Sequence, residues 1–372
     1  MHASAELVCA LAAGTAFLLW HEIFISPHLW DWPWSDARLP AAYVQDQPRS
    51  FSFVTRPEHL FIFGDSYCTC ILPRLSRGAD GPTASEGWPW PEGTSPLEDY
   101  EMHTASDGPV WARNLTTSYE KPVKLVNLAC GGATVDNDIL QNWNAPPDFK
   151  NQVSTFLQYV TPPPKRIAWH SYNSIFAIEF GTNDVLICLH GTERMRRTKQ
   201  TEDDVYKELM WHYFDSVERL YNAGARAFAF HVLVPFDRAR IGVDAGALTQ
   251  AQLKQSIMRY NAALRSAAQT YCDYKRQQTD GDIFCSIIDI YSLGHDIMNQ
   301  PHYYGFKEAI DYCPPYSWRS NAEPDMDVDP SCIGPVGDYV WKDALHPSWT
   351  FHQWWARQFQ NQMLEEAPKD DE

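Results

Sequence analysis

Positive charge is scarce in this chain. Its 372 residues include 30 Lys and Arg against 47 Asp and Glu, a net charge of −17. Such a surface repels phosphate-rich nucleic acid and anionic lipid headgroups, so a neutral or cationic partner is expected. The N-terminal apolar run, LVCALAAGTAFLLW from Leu7 to Trp20, matches a membrane span of about 20 residues less well than a signal-peptide core. No Lys or Arg precedes it. Cysteine and histidine do not recur at the paired spacing of a zinc site, so no metal is inferred, and no other cofactor is suggested. Internal repeats are also lacking.

What is present is a globular composition. Hydrophobic residues make up 44% of the chain, enough for a substantial core, and the length suits one large α/β domain or two smaller ones, of which one domain with long loops is preferred. The 15 Trp, 18 Tyr and 18 Phe are a heavy aromatic load. Most belong in the core, while some are expected on surfaces, where rings stack on the apolar faces of sugars.

The Leu7–Trp20 run matches a signal-peptide core in length. Residues 1–22 therefore read as a secretion signal, with an uncleaved membrane anchor as the alternative, since Glu6 adjoins the run and no small-x-small site follows. Of the nine cysteines, Cys9 lies in this run, leaving an even number for an oxidising compartment. Sequence proximity suggests Cys272 with Cys285 and Cys313 with Cys332, whereas Cys68 and Cys70 are too close to bridge comfortably. The sequon NLT at Asn114 would suit a glycosylated surface loop.

Residues 23–57 are rich in Pro and Trp without periodicity and read as an irregular arm. From 58 to 366 the chain reads as a single domain, followed by an acidic tail over 367–372. Short, nearly continuous apolar runs recur at 59–63, 124–130, 174–180, 227–234 and 286–291, as expected of parallel strands covered on both faces. Helical spacing links Phe149, Val153, Phe156, Leu157 and Val160, with Asp148 placed to cap the helix. It recurs from Val205 to Leu220 with a stop at Gly224, from Leu253 to Leu264, and at Trp355, Phe359 and Met363. Alternating strands and helices imply right-handed βαβ units, hence a three-layer α/β/α sandwich around a five-stranded parallel sheet. In such folds the ligand sits beyond the carboxyl ends of the strands.

The corners after the first three runs are GDS at Gly64–Ser66, GGAT at Gly131–Thr134 and GTND at Gly181–Asp184. A fourth piece, DALHPS at Asp343–Ser348, precedes the last helix. Acyl transfer needs a hydroxyl nucleophile, an imidazole base, a carboxylate to orient that base, and donors for the oxyanion. Ser66, His346 and Asp343 supply the first three; a separation of three residues lets the last two meet in one turn. Oxyanion donors would be the N–H of Gly132, with Gly131 as the rival, the Asn183 amide, and the N–H of Ser66. Asp65 is the better candidate for a structural role, bonding the turn amides.

With FGDSY, NLACGGAT, GTND and DALHPS in this order over residues 61–348, the chain resembles the SGNH or GDSL hydrolases. Two phrases between these blocks, SDGPVWARNLT and LVPFDRAR, are similar to those of fungal secreted carbohydrate acetylesterases of carbohydrate esterase family 16. The resemblance implies a flavodoxin-like SGNH fold and a secreted serine esterase acting on acetylated carbohydrate or another small ester. It also implies that Ser66, Gly132, Asn183, Asp343 and His346 take the family roles. Two departures stand out: Cys68 and Cys70 after the nucleophile, and a polar insert at 190–204, expected as a lid or a longer loop.

Each residue has a plainer reading. Ser66 could be a helix cap, His346 a surface or packing histidine, Gly132 a positive-φ turn residue, and Asn183 a partner for a turn carbonyl. In combination and in order, the catalytic reading is preferred. Trp88 and Trp90, in WPWPEG, are candidates for a sugar platform, against packing on the protein body. A monomer is expected. The alternatives are a lipase, phospholipase or thioesterase with the same machinery, and an inactive carbohydrate-binding protein on this scaffold.

Overall fold

The computed structural model describes residues 51–68, 70–71, 103–142, 146–161, 167–321, 323–324 and 326–368. The leader, most of the arm, and the proposed platform residues Trp88 and Trp90 lie outside them. From the arm, Ser52–Thr55 forms a 3-10 turn whose Val54 is buried.

Five strands form one sheet: β1 His59–Gly64, β2 Lys124–Asn127, β3 Ser174–Glu179, β4 Ala227–His231 and β5 Phe284–Ile288. Their order is β2-β1-β3-β4-β5 and every pairing is parallel, the flavodoxin-like arrangement with its switch point at β1 and β3. β1 and β3 are buried at all positions, as their unbroken apolar runs require, whereas β5 at the edge alternates.

Among the described residues the helices longer than four residues are α1 Trp111–Ser118, α2 Phe149–Tyr159, α3 Thr182–His190, α4 Glu193–Thr198, α5 Glu202–Asn222, α6 Ala247–Gln278, α7 Ile290–Asn299 and α8 Trp349–Glu366. Adjacent residues of β4 show the two faces. Phe230 packs on Phe214 of α5 at 5.4 Å, and His231 on Trp111 of α1 at 4.4 Å and Trp355 of α8 at 5.7 Å. Successive strand side chains point to opposite faces, so α1 and α8 cover one side and α5 the other. On the α5 side, Phe61 of β1 stacks on Phe176 of β3 at 4.8 Å and meets Phe156 of α2 at 5.2 Å.

Strand ends differ from the run lengths where a side chain captures the backbone. β2 stops at Asn127, whose Oδ1 accepts the Ala129 N–H at 3.0 Å. β4 stops at His231, after which Asn261 of α6 brackets Leu233, accepting its N–H at 2.8 Å and donating to its carbonyl at 3.2 Å. β5 starts two residues before its expected run and ends three before the run does, at Ile288, because Asp289 caps α7 by accepting the Ser292 N–H at 3.1 Å. α2 begins as expected, with the Asp148 carboxylate accepting the Asn151 N–H at 2.9 Å. α5 starts with a capping box between Thr201 and Asp204.

The 190–204 insert is α4 plus the cap of α5, rather than an irregular loop, and Arg194 binds the Gln141 side chain through its N–H at 2.8 Å. Asn114 lies in α1 rather than in a loop, and its amide donates to the Pro109 carbonyl at 3.3 Å. Disulfides join Cys272 to Cys285 and Cys313 to Cys332. Among the described residues no helix is long and apolar enough to cross a membrane.

Candidate active site

The site forms where β1 and β3 end. At Gly64 a Cβ would lie 2.8 Å from the Glu179 carbonyl oxygen and 2.9 Å from Cys68 Sγ, so only glycine lets strand and turn approach this closely. Gln152 of α2 fixes the same peptide, accepting its N–H at 3.0 Å and donating to its carbonyl at 2.9 Å. The chain then turns on Asp65, whose Oδ1 accepts the Tyr67 N–H at 3.0 Å while its carbonyl accepts the Cys68 N–H at 3.2 Å. This tight turn leaves Ser66 at its apex, half-buried, with neighbours that are wholly buried.

The fourth block meets it from 280 residues away: His346 Nε2 lies 3.0 Å from Ser66 Oγ. His346 Nδ1 lies 3.0 Å and 2.9 Å from the two carboxylate oxygens of Asp343. Asp343 Oδ1 also accepts the N–H groups of Leu345 at 2.9 Å and His346 at 2.8 Å, so the three-residue separation closes into one turn. Burial opposes ionisation of Asp343, but its hydrogen bond and charge pairing with His346, aided by the two amides, hold its carboxyl down at about 2. The carboxylate is therefore charged at neutral pH, which favours a proton on Nδ1 and an accepting lone pair at Nε2.

Three bonds hold this loop against the domain. Tyr67 donates its hydroxyl to the Leu345 carbonyl at 3.0 Å, the Ile241 N–H binds the Ala344 carbonyl at 2.9 Å, and the Lys342 N–H binds the His346 carbonyl at 2.8 Å. The Tyr67 ring also meets the imidazole edge-on at 5.8 Å. Lys342, itself buried, donates to the Ser317 carbonyl at 2.8 Å and lies 3.5 Å from Asp343 Oδ2.

Candidate oxyanion donors stand at the strand-end corners that adjoin Ser66. The N–H groups of Ser66 and Gly132 bond no acceptor among the described residues. Gly132 has φ +83°, and a Cβ there would meet only Pro146 at an ordinary 3.6 Å. Backbone conformation, not crowding, thus requires glycine. Gly131 adjoins Ser66, its Cβ position falling 3.9 Å from Ser66 Cβ. Asn183 is the second residue of α3, and its amide donates to Asp65 Oδ2 at 3.1 Å and to the Ala133 carbonyl at 2.9 Å. Both of its N–H groups are thus engaged in this state, and donating to an oxyanion requires one to swing free. Asp184 is buried and accepts the Val135 N–H at 3.0 Å, tying the second and third blocks together, while burial pushes its carboxyl up to about 8.

Behind Ser66 lies a residue not singled out from the sequence. Glu179, the last residue of β3, is fully buried and hydrogen-bonded to Asp65, and Cys68 donates its thiol to Glu179 Oε2 at 3.5 Å. Burial first, then the nearby Asp65 carboxylate, push the Glu179 carboxyl well above the usual range. A signal was available: one acid inside the apolar run SIFAIEF has no solvent to reach. Tyr67 and Lys342 carry no comparable mark.

The family model of the GDSL-like lipase/acylhydrolases matches residues 60–359. An acetylesterase of Thermothelomyces thermophilus is 25% identical over 300 residues, which are 77% of this chain and 89% of that protein. An acetylesterase of Hypocrea jecorina is 27% identical over 353 residues, 84% of this chain and 91% of that one. A GDSL esterase/lipase of Arabidopsis thaliana is 28% identical over 237 residues, 60% of each chain. A match running from the first strand through most of α8 spans all four corner blocks, and on this ground the chain belongs to the GDSL-like lipase/acylhydrolase family and is a carboxylic ester hydrolase.

Proposed function

We propose that the protein is a secreted, monomeric serine esterase that removes short acyl groups, above all acetyl, from carbohydrate hydroxyls, with residues 58–366 acting as one hydrolase domain. The observation that carries this reading is the 3.0 Å separation of His346 Nε2 from Ser66 Oγ, in line with an ionised Asp343. Relatives named acetylesterase over most of both chains support the short acyl group. Two disulfides support an oxidising compartment.

Ser66 Oγ attacks the ester carbonyl as His346 Nε2 takes its proton, and Asp343 stabilises the imidazolium that forms. The tetrahedral oxyanion is held by the N–H groups of Ser66 and Gly132 and by the Asn183 amide, which exchanges one of its present acceptors for the new anion. His346 returns its proton to the leaving sugar oxygen. Water, deprotonated by the same imidazole, then attacks the acyl-enzyme and releases the acid.

A fluorophosphonate probe tests the chemistry: it should label Ser66 in the wild-type protein and fail with Ser66→Ala, which should keep the folded circular dichroism spectrum. Turnover of Ser66→Ala at the wild-type rate would refute the reading. Aryl esters from acetate to long acyl chains, followed by acetylated oligosaccharides, test the substrate class. A preference for long chains would point to a lipase groove and overturn the acetylesterase assignment.

A further inference from the structure

The strand and turn beneath Ser66 bury two acids side by side, and acyl transfer through Ser66 and His346 uses neither. Asp65 and Glu179 have no solvent exposure, and their side chains are hydrogen-bonded to one another. Two buried carboxyls in such contact cannot both be ionised without severe repulsion, so they share a proton. The donors around them decide which one is neutral. Asp65 receives two N–H groups, Tyr67 on Oδ1 at 3.0 Å and Asn183 on Oδ2 at 3.1 Å. Among the described residues the only group donating to Glu179 is the Cys68 thiol, on Oε2 at 3.5 Å, and no donor reaches its Oε1. A buried carboxylate needs strong donors. Asp65 has them and Glu179 lacks them.

We propose that Glu179 is a positioning residue that stays protonated and donates to Asp65, fixing the Asp65 carboxylate against the Tyr67 N–H and the Asn183 amide while keeping a second negative charge away from the forming oxyanion. The inference rests on the reading of Ser66 as nucleophile. Asp65 is the hub: one oxygen sets the turn that presents Ser66, and the other sets the side chain that must reach the oxyanion. The proton on Glu179 draws charge from Asp65 and so loosens its hold on Asn183 when the stronger acceptor appears. A second full charge behind the turn would oppose the oxyanion, which exists only in the transition state, so its effect falls on kcat. Burial raises both carboxyls, Asp65 to about 6 and Glu179 well above the ordinary carboxylate range, in keeping with a shared proton.

The test compares Glu179→Gln, which keeps a neutral donor, with Glu179→Leu, which keeps the volume and loses the donor. Labelling of wild-type Ser66 by fluorophosphonate comes first; its failure would remove the nucleophile reading itself and is thereby distinguished from failure of this inference. Glu179→Leu should lower kcat on an aryl acetate about 30-fold with KM changed less than about twofold, less than the hundredfold or more for deleting an oxyanion donor. Glu179→Gln should recover at least a third of the wild-type kcat. The wild-type minus Glu179→Gln infrared difference at neutral pH should contain the C=O stretch of a protonated carboxyl. The proposal falls if Glu179→Leu keeps kcat within about threefold of wild type, if Glu179→Gln is as impaired as Glu179→Leu, or if the difference spectrum holds carboxylate bands alone. Should Glu179→Leu not fold, the Glu179→Gln rate and its difference spectrum still decide between these outcomes.

Discussion

Replacing Asp343 by Asn tests the arrangement of the site with two separate readouts. Both backbone amides in the Asp343 turn, those of Leu345 and His346, bond Oδ1. An asparagine would therefore place its carbonyl there and its NH2 where Oδ2 stands, 2.9 Å from His346 Nδ1. The NH2 repels a protonated Nδ1 and leaves it only the Oδ1 contact at 3.0 Å, so the imidazole shifts toward the tautomer with its proton on Nε2, which points an N–H, not a lone pair, at Ser66 Oγ. Losing the general base in this way costs about 10²–10⁴ in kcat, or about 3–5 kcal/mol of transition-state stabilisation. KM on a soluble aryl acetate should change little, because the wrong tautomer leaves ground-state binding alone. The second readout is stability. A carboxyl held at about 2 instead of its ordinary 3.8 contributes about 2 kcal/mol to the native state. Because the folded value is the lower one, that stabilisation is complete above about pH 4 and is lost as pH falls through about 2. Urea unfolding should show Asp343→Asn less stable by up to about 2 kcal/mol at neutral pH, with the gap closing toward pH 2. A variant with kcat within tenfold of wild type would refute the reasoning and assign the orientation of His346 to its other contacts.

Other substitutions probe the supports. Tyr67→Phe leaves the Leu345 carbonyl without its 3.0 Å donor; stability measured by thermal unfolding should fall by about 1 kcal/mol, with a several-fold loss of kcat as the histidine loop loosens. Gly64→Ala drives a methyl to within 2.8 Å of the Glu179 carbonyl, so it should destabilise by about 1–3 kcal/mol and slow fluorophosphonate labelling of the displaced Ser66. Glu218→Ala strands the buried Lys275 ammonium, now 2.7 Å from that carboxylate, and should cost about 3–5 kcal/mol in urea titration without changing KM. Removing the Cys272–Cys285 disulfide, which spans 13 residues, as a double Ala variant should lower stability by about 3 kcal/mol and leave kcat of the folded protein intact.

The apolar runs of this chain are legible because a parallel strand covered on both faces has no polar alternation to confuse the reading. The helices are legible because their stripes repeat at the helical period. Order along the chain also sets which residues come directly after each strand, and so delivers Ser66, Gly132 and Asn183 to one edge of the sheet, where the Asp343–His346 turn joins them from the loop ahead of α8. The apolar runs overshoot the true strand ends at Asn127 and His231, because there a side chain takes over a backbone group and turns the chain within an apolar stretch.

The sequence by itself thus determined which chemistry the chain can carry: a hydroxyl, an imidazole, a carboxylate and donors, each in a local motif whose type and spacing are short-range matters. Only the tertiary structure decided how those groups are tuned. The 3.0 Å meeting of Ser66 and His346 joins residues 280 apart, the pairing of Asp65 with Glu179 puts two acids from neighbouring strand ends in one dry pocket, and the grip of Asp65 on Asn183 crosses 118 residues. The physical reason is that hydrogen bonds and charges act over a few ångströms and depend on what excludes water around them, and neither distance nor burial is set until the sheet has been ordered and covered.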